Sequence, residues 1–379
     1  MKWEYKTLDQ LGTVSRGKSK HRPRNDPKLF GGKYPFIQTA DVKNADYYIT
    51  KYSDTYNESG LAQSKLWDKG TLCITIAANI ADTGVLAFPA CFPDSIMGFV
   101  PFEGVANTRF IKYCFDRLQR DCKQISQGTA QDNLSWEKLS TIKFCIPEYK
   151  EQCCIADILS AYDDLIENNQ KQIKLLEEAA QRLYKEWFVD LRFPGHENTK
   201  IVDGVPEGWS RTNINEILTF HRGYDLTKNE MKAGRYPVVG STTVIGYHNE
   251  FKIKGPGIVT GRSGSLGKYQ FIWDNFWPHN TSLYISDYKD HNIFFVYSLL
   301  QTVDFASLNN GGAIPTLNRN VLSNIEIIEP EKKLQDVFAK IAEPQYQKIG
   351  NLEKQNDRLK TARGLLLPKL MYETRKGDF

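Results

Sequence analysis

The sequence predicts an α+β protein that is built twice. We expect two mainly β, mixed globular domains, each followed by a long α-helix, with the two helices paired antiparallel as a coiled coil in a pseudo-twofold repeat. Three observations predict this: an internal repeat, one long helical stripe in each half, and short strand-like runs before each stripe. The predicted boundaries are domain one at 1–147, helix one at 148–190, a linker at 191–208, domain two at 209–330 and helix two at 331–379.

The repeat is strongest around the predicted helices. From Gly128 to Leu183 the first half matches the second at a constant shift of 183, so that Pro147 corresponds to Pro330. Upstream the shift drifts from 206, where Arg16-Gly17 meets Arg222-Gly223, through 202 and 185. Chance could produce these early matches because the shift changes three times, but it explains the ungapped run poorly. The helices therefore repeat in register and the domains only in outline.

The first helical stripe predicts a helix from about Glu151 to Val189, roughly 39 residues or 58 Å long. We expect Ile158, Leu165 and Ala179 to widen its apolar face. In the second copy the stripe includes Ile341, and Pro344 predicts a kink or a late start. Each face needs a cover, and the linker of about 20 residues suits antiparallel pairing. The residues predicted to pack between the helices are Ile155, Tyr162, Ile166, Leu176, Leu183, Phe338, Ile349, Leu352, Leu359 and Leu366.

Two polar residues interrupt the first stripe. Asn169 and Gln172 stand where apolar residues would continue the pattern. They could fix the register of the helix pair, or they could mark a locally exposed turn. The sequence leaves both interpretations open.

The domains show strand signals and one helix each. Short apolar or alternating runs at 72–77, 257–261 and 269–273 are bounded by turn residues, which is typical of strands. Residues 105–122 and 293–302 favour a helix in each domain. The linker, with Pro194-Gly195 and Pro206, is predicted to be a loop.

Composition bounds the class of protein. The 379 residues carry a net charge of only +4, which neither announces nor excludes nucleic-acid binding. Seven cysteines, all between Cys73 and Cys154, have no disulfide-framework or zinc spacing, so we expect reduced thiols in a cytoplasmic protein. No apolar run approaches the roughly 20 residues of a membrane helix, and we expect no signal peptide and no membrane partner.

No catalytic or metal constellation is predicted. The loop from Gly261 to Lys268 resembles a phosphate loop, but Arg262 replaces its first glycine and Tyr269 its magnesium-binding hydroxyl. Methyltransferase motifs are missing, convincing nuclease motifs are missing, and the six histidines are scattered. The loop suits close contact with DNA, or it is an ordinary tight turn between strands.

Basic and amide side chains give the candidate DNA contacts. The run from Ser15 to Arg24 has five cations and no acid, which indicates either phosphate binding or a solvated surface loop. Gln and Asn residues occupy matching places before the last strand of each domain, where they could read adenine or merely form turns. The DNA-binding candidates are Arg16, Lys18, Lys20, Arg22, Arg24, Asn79, Gln127, Gln131, Arg222, Arg262, Ser263, Lys268, Asn309 and Asn310.

These features together resemble the specificity (S) subunit of type I restriction–modification systems over essentially the whole chain. The most typical segments are residues 155–163, 183–190, 236–241, 246–249, 312–318 and 365–370. The resemblance implies two target-recognition domains held apart by spacer helices, and a non-catalytic subunit that recognises a bipartite, asymmetric target in double-stranded DNA. The first domain departs from the pattern at 76–84, which lacks a counterpart of Arg262.

The resemblance also implies partners. Two methyltransferase (M) subunits and restriction/translocase (R) subunits would be directed to the target by this chain. S-adenosylmethionine, ATP and magnesium would belong to those subunits, with no cofactor in this chain. The alternatives are a coiled-coil adaptor whose two heads bind something other than DNA and, against the missing motifs, a DNA nuclease or methylase.

Overall fold

The structure is a computed structural model that describes residues 3–76, 82–125, 136–262, 267–303 and 325–371. The chain forms two compact units. Unit 1 comprises Met1–Asn169 and Gln355–Phe379, and unit 2 comprises Gln170–Lys354. Both long helices are divided between the units, so each unit holds one globular domain and a stretch of each helix.

The first long helix spans Tyr149–Tyr184 and continues as a π-helical turn at Lys185–Val189, close to the predicted limits. The second long helix spans Lys332–Leu370 without a break. The starts are alike, because the Nε2 atoms of Gln152 and Gln335 donate to the carbonyls of Pro147 and Pro330, at 3.0 and 2.8 Å. The late start predicted from Pro344 is wrong. The hydrogen bond from the Gln335 side chain and the burial of Phe338 stabilise the helical turns that precede the proline.

The domain of unit 1 is mixed α and β. Its main sheet has the order β2-β8-β6-β7-β4, with β4 parallel to β7 and the other neighbours antiparallel. Two further pairs are β1 with β9 and β3 with β5. The strands are β1 Glu4–Lys6, β2 Gly12–Arg16, β3 Phe30–Phe36, β4 Tyr48–Ile49, β5 Asp54–Tyr56, β6 Leu72–Thr75, β7 Thr83–Leu86, β8 Ile96–Pro101 and β9 Phe144–Ile146. The helices are α1 Leu8–Leu11, α2 Thr39–Lys43, α3 Glu58–Ala62, α4 Thr108–Ile125 and α5 Trp136–Thr141, with a 3-10 turn at Pro27–Leu29.

The domain of unit 2 is built around the sheet β13-β19-β16-β17, all antiparallel. A separate, smaller sheet has the strand order β15-β14-β18, and β12 pairs with β20. The strands are β10 Ile201–Val202, β11 Val205–Pro206, β12 Ser210–Asn213, β13 Thr219–Arg222, β14 Tyr236–Val239, β15 Val244–His248, β16 Gly257–Gly261, β17 Tyr269–Ile272, β18 Trp277–Pro278, β19 Ser282–Asp287 and β20 Glu326–Glu329. The helices are α7 Ile214–Ile217 and α8 Ile293–Thr302, where α6 denotes the first long helix.

The linker predicted to be a loop holds short regular structure. A 3-10 turn forms at His196–Asn198, and β10 pairs with β11 in a small hairpin. The physical reason is the turn Asp203-Gly204, where both residues take the left-handed conformation that closes tight hairpins.

The two domains share one topology. The order β2-β8-β6-β7 in unit 1 corresponds strand for strand to β13-β19-β16-β17 in unit 2, and β1-β9 corresponds to β12-β20. Helix α4 and helix α8 follow the same strand in each domain, as the sequence predicted for residues 293–302 and nearly for 105–122. The repeat seen only in outline in the sequence is therefore a repeat of strand order.

In each unit one apolar core joins the sheet, the domain helix and both long helices. In unit 1 it contains Phe99 of β8, Phe110 of α4, Ile155 of the first long helix and Leu367 of the second. In unit 2 it contains Ile285, Phe295, Tyr184 and Phe338 from the corresponding elements. Each such buried side chain contributes about 1.5–3 kcal/mol, so these cores fix each domain to its helices.

Within each unit the two helices run antiparallel. In unit 1 Asp163 pairs with Arg363 and the Asn169 Nδ2 donates to the Asn356 Oδ1 at 2.9 Å, so higher numbers on one helix meet lower numbers on the other. In unit 2 the rings of Tyr184 and Phe338 lie 5.5 Å apart. Regular coiled-coil packing along both helices stays a prediction.

All ten residues predicted to pack between the helices are at least half-buried, and their packing between the helices stays a prediction. Ile155, Ile166, Phe338, Ile349 and Leu352 are buried, and Tyr162, Leu176, Leu183, Leu359 and Leu366 are half-buried.

The predicted wide stripe was wrong. Ile158, Leu165 and Ile341 are 48%, 38% and 43% exposed, and Ala179 is exposed as well. The buried side of each helix is therefore narrower than the apolar stripe in the sequence, since an apolar residue on a helix can be exposed. Asn169 is 2% exposed and bonded across the pair, so the exposed-turn interpretation of this residue is also wrong. Gln172 is half-buried.

Candidate nucleic-acid interface

Three predicted cations of unit 2 lie at one edge of its main sheet. Strands β13 and β16 both pair antiparallel with β19, so they end at the same edge. Arg222 ends β13, Arg262 follows β16, and Lys268 precedes β17 in the same hairpin. Residues 263–266, which join β16 to β17, lie outside the described residues, so the choice between a DNA-contacting loop and a plain turn stays open there.

In unit 1 the basic run starts at the corresponding edge of the main sheet. Arg16 ends β2, which pairs with β8 as β13 pairs with β19. The chain then leaves the strand as a loop through Arg24, as predicted. Asn79 follows β6 in the chain, as Ser263 follows β16.

A glycine directly follows β2 in unit 1 and β13 in unit 2, and it shapes the sheet edge in each domain. The Gly17 amide donates to the Ile96 carbonyl at 2.9 Å, and the Gly223 amide donates to the Ser282 carbonyl at 3.1 Å. A Cβ at Gly17 would lie 2.3 Å from the Phe92 carbonyl oxygen. Only glycine fits so close to a neighbouring backbone, which explains why the Arg-Gly pair occurs at the same place in both domains.

The five cations of the basic loop are not equivalent. Arg24 forms an ion pair with Asp94 at 2.8 Å, and Arg22 donates to the Ser19 carbonyl at 2.6 Å. Arg16, Lys18 and Lys20 are exposed. Among the described residues, no carboxylate lies within 4.0 Å of their side-chain nitrogens. These three are therefore the cations most available to an anion.

Bonds to neighbouring segments hold this loop in place. The Ser64 hydroxyl donates to the Lys18 carbonyl at 2.7 Å, and the His21 amide donates to the Gln63 Oε1 at 3.0 Å. His21 and Asp26 are also paired, at 2.9 Å. The hydrogen bond from the Lys28 amide, and then the one to His21, lower the pKa of Asp26. A fixed backbone lets exposed cations meet phosphates without ordering the loop first.

The edge of unit 2 carries fewer free cations. Arg222 lies 3.8 Å from Asp225, Arg262 is half-buried and Lys268 is exposed. The Lys268 carbonyl accepts from the Thr260 hydroxyl at 2.9 Å, and the Arg262 amide donates to the Thr281 carbonyl at 3.2 Å. The two domains therefore present different chemistry at the same sheet edge.

Sequence reasoning missed one component of the second edge. The segment from His279 to Thr281 enters β19 beside Arg222, and Asn280 contacts Asp225. Behind it, the hydroxyls of Tyr224 and Tyr284 lie 3.0 Å apart, and burial raises the pKa of Tyr284. The signal was present as a polar His-Asn-Thr run between two apolar strands.

Several candidates lie outside the described residues. They are Asn79, Gln127, Gln131, Ser263, Asn309 and Asn310. Within the described parts of the chain, no three His, Cys, Asp or Glu side chains are grouped as a metal site would need. In those same parts, every helix is too short or too polar to cross a membrane.

The two halves of the chain match one family model. The model, described as the type I restriction modification DNA specificity domain, matches residues 1–178 and again residues 206–361. The chain therefore belongs to this family, as a specificity subunit of a type I restriction–modification system with two target-recognition domains.

One relative and one solved structure match nearly the full length of the chain, and a second relative matches about a third of it. The chain is 26% identical to the type I restriction enzyme MjaIX specificity subunit of Methanocaldococcus jannaschii, covering 98% of this chain and 93% of that protein. It is 30% identical to the MjaVIII specificity subunit of the same organism over 30% of this chain and 27% of that protein. The S subunit from M. genitalium has the same fold, with a TM-score of 0.58 and 20% identity over 98% of this chain and 96% of that one.

Proposed function

We propose that this chain recognises a bipartite, asymmetric target in double-stranded DNA, with 1–147 reading one half-site and 209–330 the other. The observation that carries the proposal is the shared sheet edge with different side chains. Arg16, Lys18 and Lys20 mark it in the first domain, and Arg222, Arg262 and Lys268 in the second. Equal topology with unequal edges suits two readers of different sequences.

Phosphate and base contacts would come from different residues. Exposed lysines and arginines bind phosphate and set position without reading sequence. Amide side chains can pair bidentately with adenine, and arginine with guanine, in the major groove. We assign the first role to Lys18 and Lys20. The base-reading role is left to Arg262 and to the candidates that lie outside the described residues, Asn79, Gln127, Gln131, Ser263, Asn309 and Asn310.

The long helices would bind the partners. Cys154 and Ile158 are exposed near the start of the first long helix, and the shift of 183 places them on Val337 and Ile341, which are exposed near the start of the second. An apolar pair repeated at the same place suits two copies of one partner. We propose that each pair docks one methyltransferase subunit, that restriction/translocase subunits join that assembly, and that the cofactors reside on those subunits.

Replacing the second domain tests the proposal of two readers. We expect that exchanging residues 209–330 for those of a relative changes one half-site of the methylated sequence and leaves the other unchanged. The measurement is methylome sequencing of cells that express the chain with its methyltransferase. Altered bases in both half-sites would contradict the division of labour, and exchange of 1–147 is the matched control for the opposite half.

Charged substitutions test the docking pairs. We expect Ile158→Glu and Ile341→Glu each to remove one of two methyltransferase copies, because a buried unpaired carboxylate opposes association. Native mass spectrometry of the co-purified complex counts the copies. Leu175→Glu is the control, since Leu175 is exposed but has Arg358 as its repeat counterpart. Complexes that keep both copies in both variants would place the docking surface elsewhere.

The alternatives have specific outcomes. A coiled-coil adaptor with heads for other ligands would bind neither DNA nor a methyltransferase in these experiments. A nuclease or methylase would act on DNA without partner subunits. The family match gives no support to either alternative.

A further inference from the structure

The seam between the long helices contains two polar layers in unit 1. Asp163 pairs with Arg363, and Asn169 bonds Asn356 at 2.9 Å and Gln355 at 3.2 Å. The residue numbers of the two facing pairs add to 526 and 525. These sums define the register of the antiparallel pair.

The repeat predicts what should face what in unit 2. The shift of 183 places Asp163 on Tyr346, and it places Ala180 on Arg363. Tyr346 and Ala180 are buried in one apolar core, and their numbers also add to 526. Asn169 and Asn356 correspond in the same way to the buried Leu352 and the half-buried Ile173. The polar layers of one unit are therefore apolar layers in the other.

The layer between them is unchanged. In the same register Ile166 is level with Leu359 in unit 1, and Leu176 is level with Ile349 in unit 2. Both layers combine one isoleucine with one leucine. The two units therefore share this layer and differ in the polarity of the layers on either side of it.

We propose that these polar layers select the pairing of the first long helix with the second and exclude pairing of either helix with a second copy of itself. The consequence is that an assembled complex carries one domain of each kind. Selection of this kind depends on the two halves of the chain alone and not on DNA reading.

Self-pairing would leave each polar group without its partner. A first helix facing its own copy in this register would place Asp163 opposite Ala180 and Asn169 opposite Ile173, each twice. A second helix facing its own copy would place Arg363 opposite Tyr346 and Asn356 opposite Leu352. A buried charge or amide without a partner strongly opposes association, and a single polar pair can fix which helices combine.

The surroundings of Asp163 make rescue by water difficult. Its side chain is 1% exposed, and the Tyr113 hydroxyl of the domain donates to its Oδ2 at 2.5 Å. Burial raises the pKa of Asp163, against the lowering influence of Arg363. The domain also holds the second helix, because the Arg120 guanidinium donates to the Gly364 carbonyl at 2.7 Å. These contacts join the domain of unit 1 to both long helices.

The test starts from the folded full chain. A protease site inserted after Thr199, next to the exposed Lys200 of the linker, is cut after folding, so that both parts begin as partners. Two preparations of the cut protein are made, with different tags on their N-terminal parts and an isotope label on one of the C-terminal parts. They are mixed, and the urea concentration is raised until the labelled C-terminal part exchanges between the two preparations. Pull-down on one tag then reports whether N-terminal parts pair with each other.

The variant Asp163→Tyr, Asn169→Leu, Asn356→Ile and Arg363→Ala copies the layers of unit 2 into unit 1. We expect the native seam to give at least about a hundredfold less pairing between N-terminal parts than this variant. Ile166→Leu with Leu359→Ile is the matched control and should behave as the native seam does. Equal self-pairing of the native and apolar seams would overturn the proposal, whether both values are high or both are low. Circular dichroism checks that each cut protein keeps its helices.

Discussion

The seam in unit 1 and the seam in unit 2 share a register and differ in chemistry. In unit 1 the layers nearest the middle of the helices are an ion pair and an amide pair. In unit 2 the ring of Phe338 lies 5.3 to 6.5 Å from those of Tyr184, Trp187, Phe188 and Phe295. A well-packed aromatic group contributes stability, whereas buried polar pairs contribute specificity more than stability. We infer that the duplicated frame has divided these two tasks between its units.

The largest effect should come from the aromatic side of this comparison. Phe338→Ala removes a fully buried ring from between both long helices and α8. We expect it to lower the free energy of unfolding of unit 2 by about 3–5 kcal/mol, from lost burial and the cavity left behind. Amide hydrogen exchange reports this locally, as faster exchange within 170–354.

Two variants make that measurement decisive. Ile155→Ala is the repeat counterpart in unit 1, and its effect should be similar or smaller and confined to unit 1. Ile341→Ala, on the exposed side of the same helix, should change stability by less than about 0.5 kcal/mol. If Phe338→Ala were no worse than Ile341→Ala, the aromatic group would not be what stabilises unit 2.

The polar side of the comparison predicts a pH-dependent loss. Arg363→Ala leaves Asp163 buried beside Tyr113, and we expect unit 1 to lose about 3–5 kcal/mol near pH 7. Burial already raises the pKa of Asp163, and losing the cation raises it further. In Arg363→Ala the folded state binds the Asp163 proton more tightly than the unfolded state does. The stability that this proton contributes is fully present below about pH 3.9, where the unfolded carboxyl is protonated as well. It is lost as the pH rises through the raised folded pKa.

The measurement is urea unfolding of Arg363→Ala and of the native chain from pH 4 to pH 8. The deficit of the variant should grow as the pH rises. Adding Asp163→Asn to Arg363→Ala should flatten the pH dependence, because no carboxyl remains to titrate. A deficit that is constant with pH would mean that Asp163 stays ionised in the variant.

The sequence predicted the frame well because the frame is periodic. An ungapped repeat and a heptad stripe are visible in one dimension and predicted both long helices, and the short linker predicted their antiparallel sense. It failed at Ile158, Leu165 and Ile341, since an apolar residue on a helix can be exposed and periodicity does not say how wide the seam is. Asn169 could be weighed only as two alternatives, because its partner Asn356 lies 187 positions away.

The sequence identified residues of the candidate interface but could not show that they lie on one surface. Arg16-Gly17 and Arg222-Gly223 stood out as a repeated pair, yet strand order was needed to place both at the same sheet edge. The sequence also could not separate Arg24, which is bound to Asp94, from Lys18, which is free of such a bond among the described residues. Tertiary ion pairs of this kind leave no local signal.

The smallest predicted effect compares the two edges directly. Each phosphate contact contributes about 0.9 to the slope of log affinity against log salt for duplex DNA. We expect Lys18→Gln with Lys20→Gln to reduce that slope by about 1 to 2 on non-specific duplex DNA, and Arg262→Gln with Lys268→Gln to reduce it by about as much or less. Arg262 is half-buried, so the first edge should dominate the electrostatic part of binding. Fluorescence anisotropy between 50 and 200 mM salt, roughly the range over which such slopes are resolved, measures both variants. Lys200→Gln, in the linker, is the control and should leave the slope unchanged; equal slopes in all three variants would move the phosphate contacts away from both sheet edges.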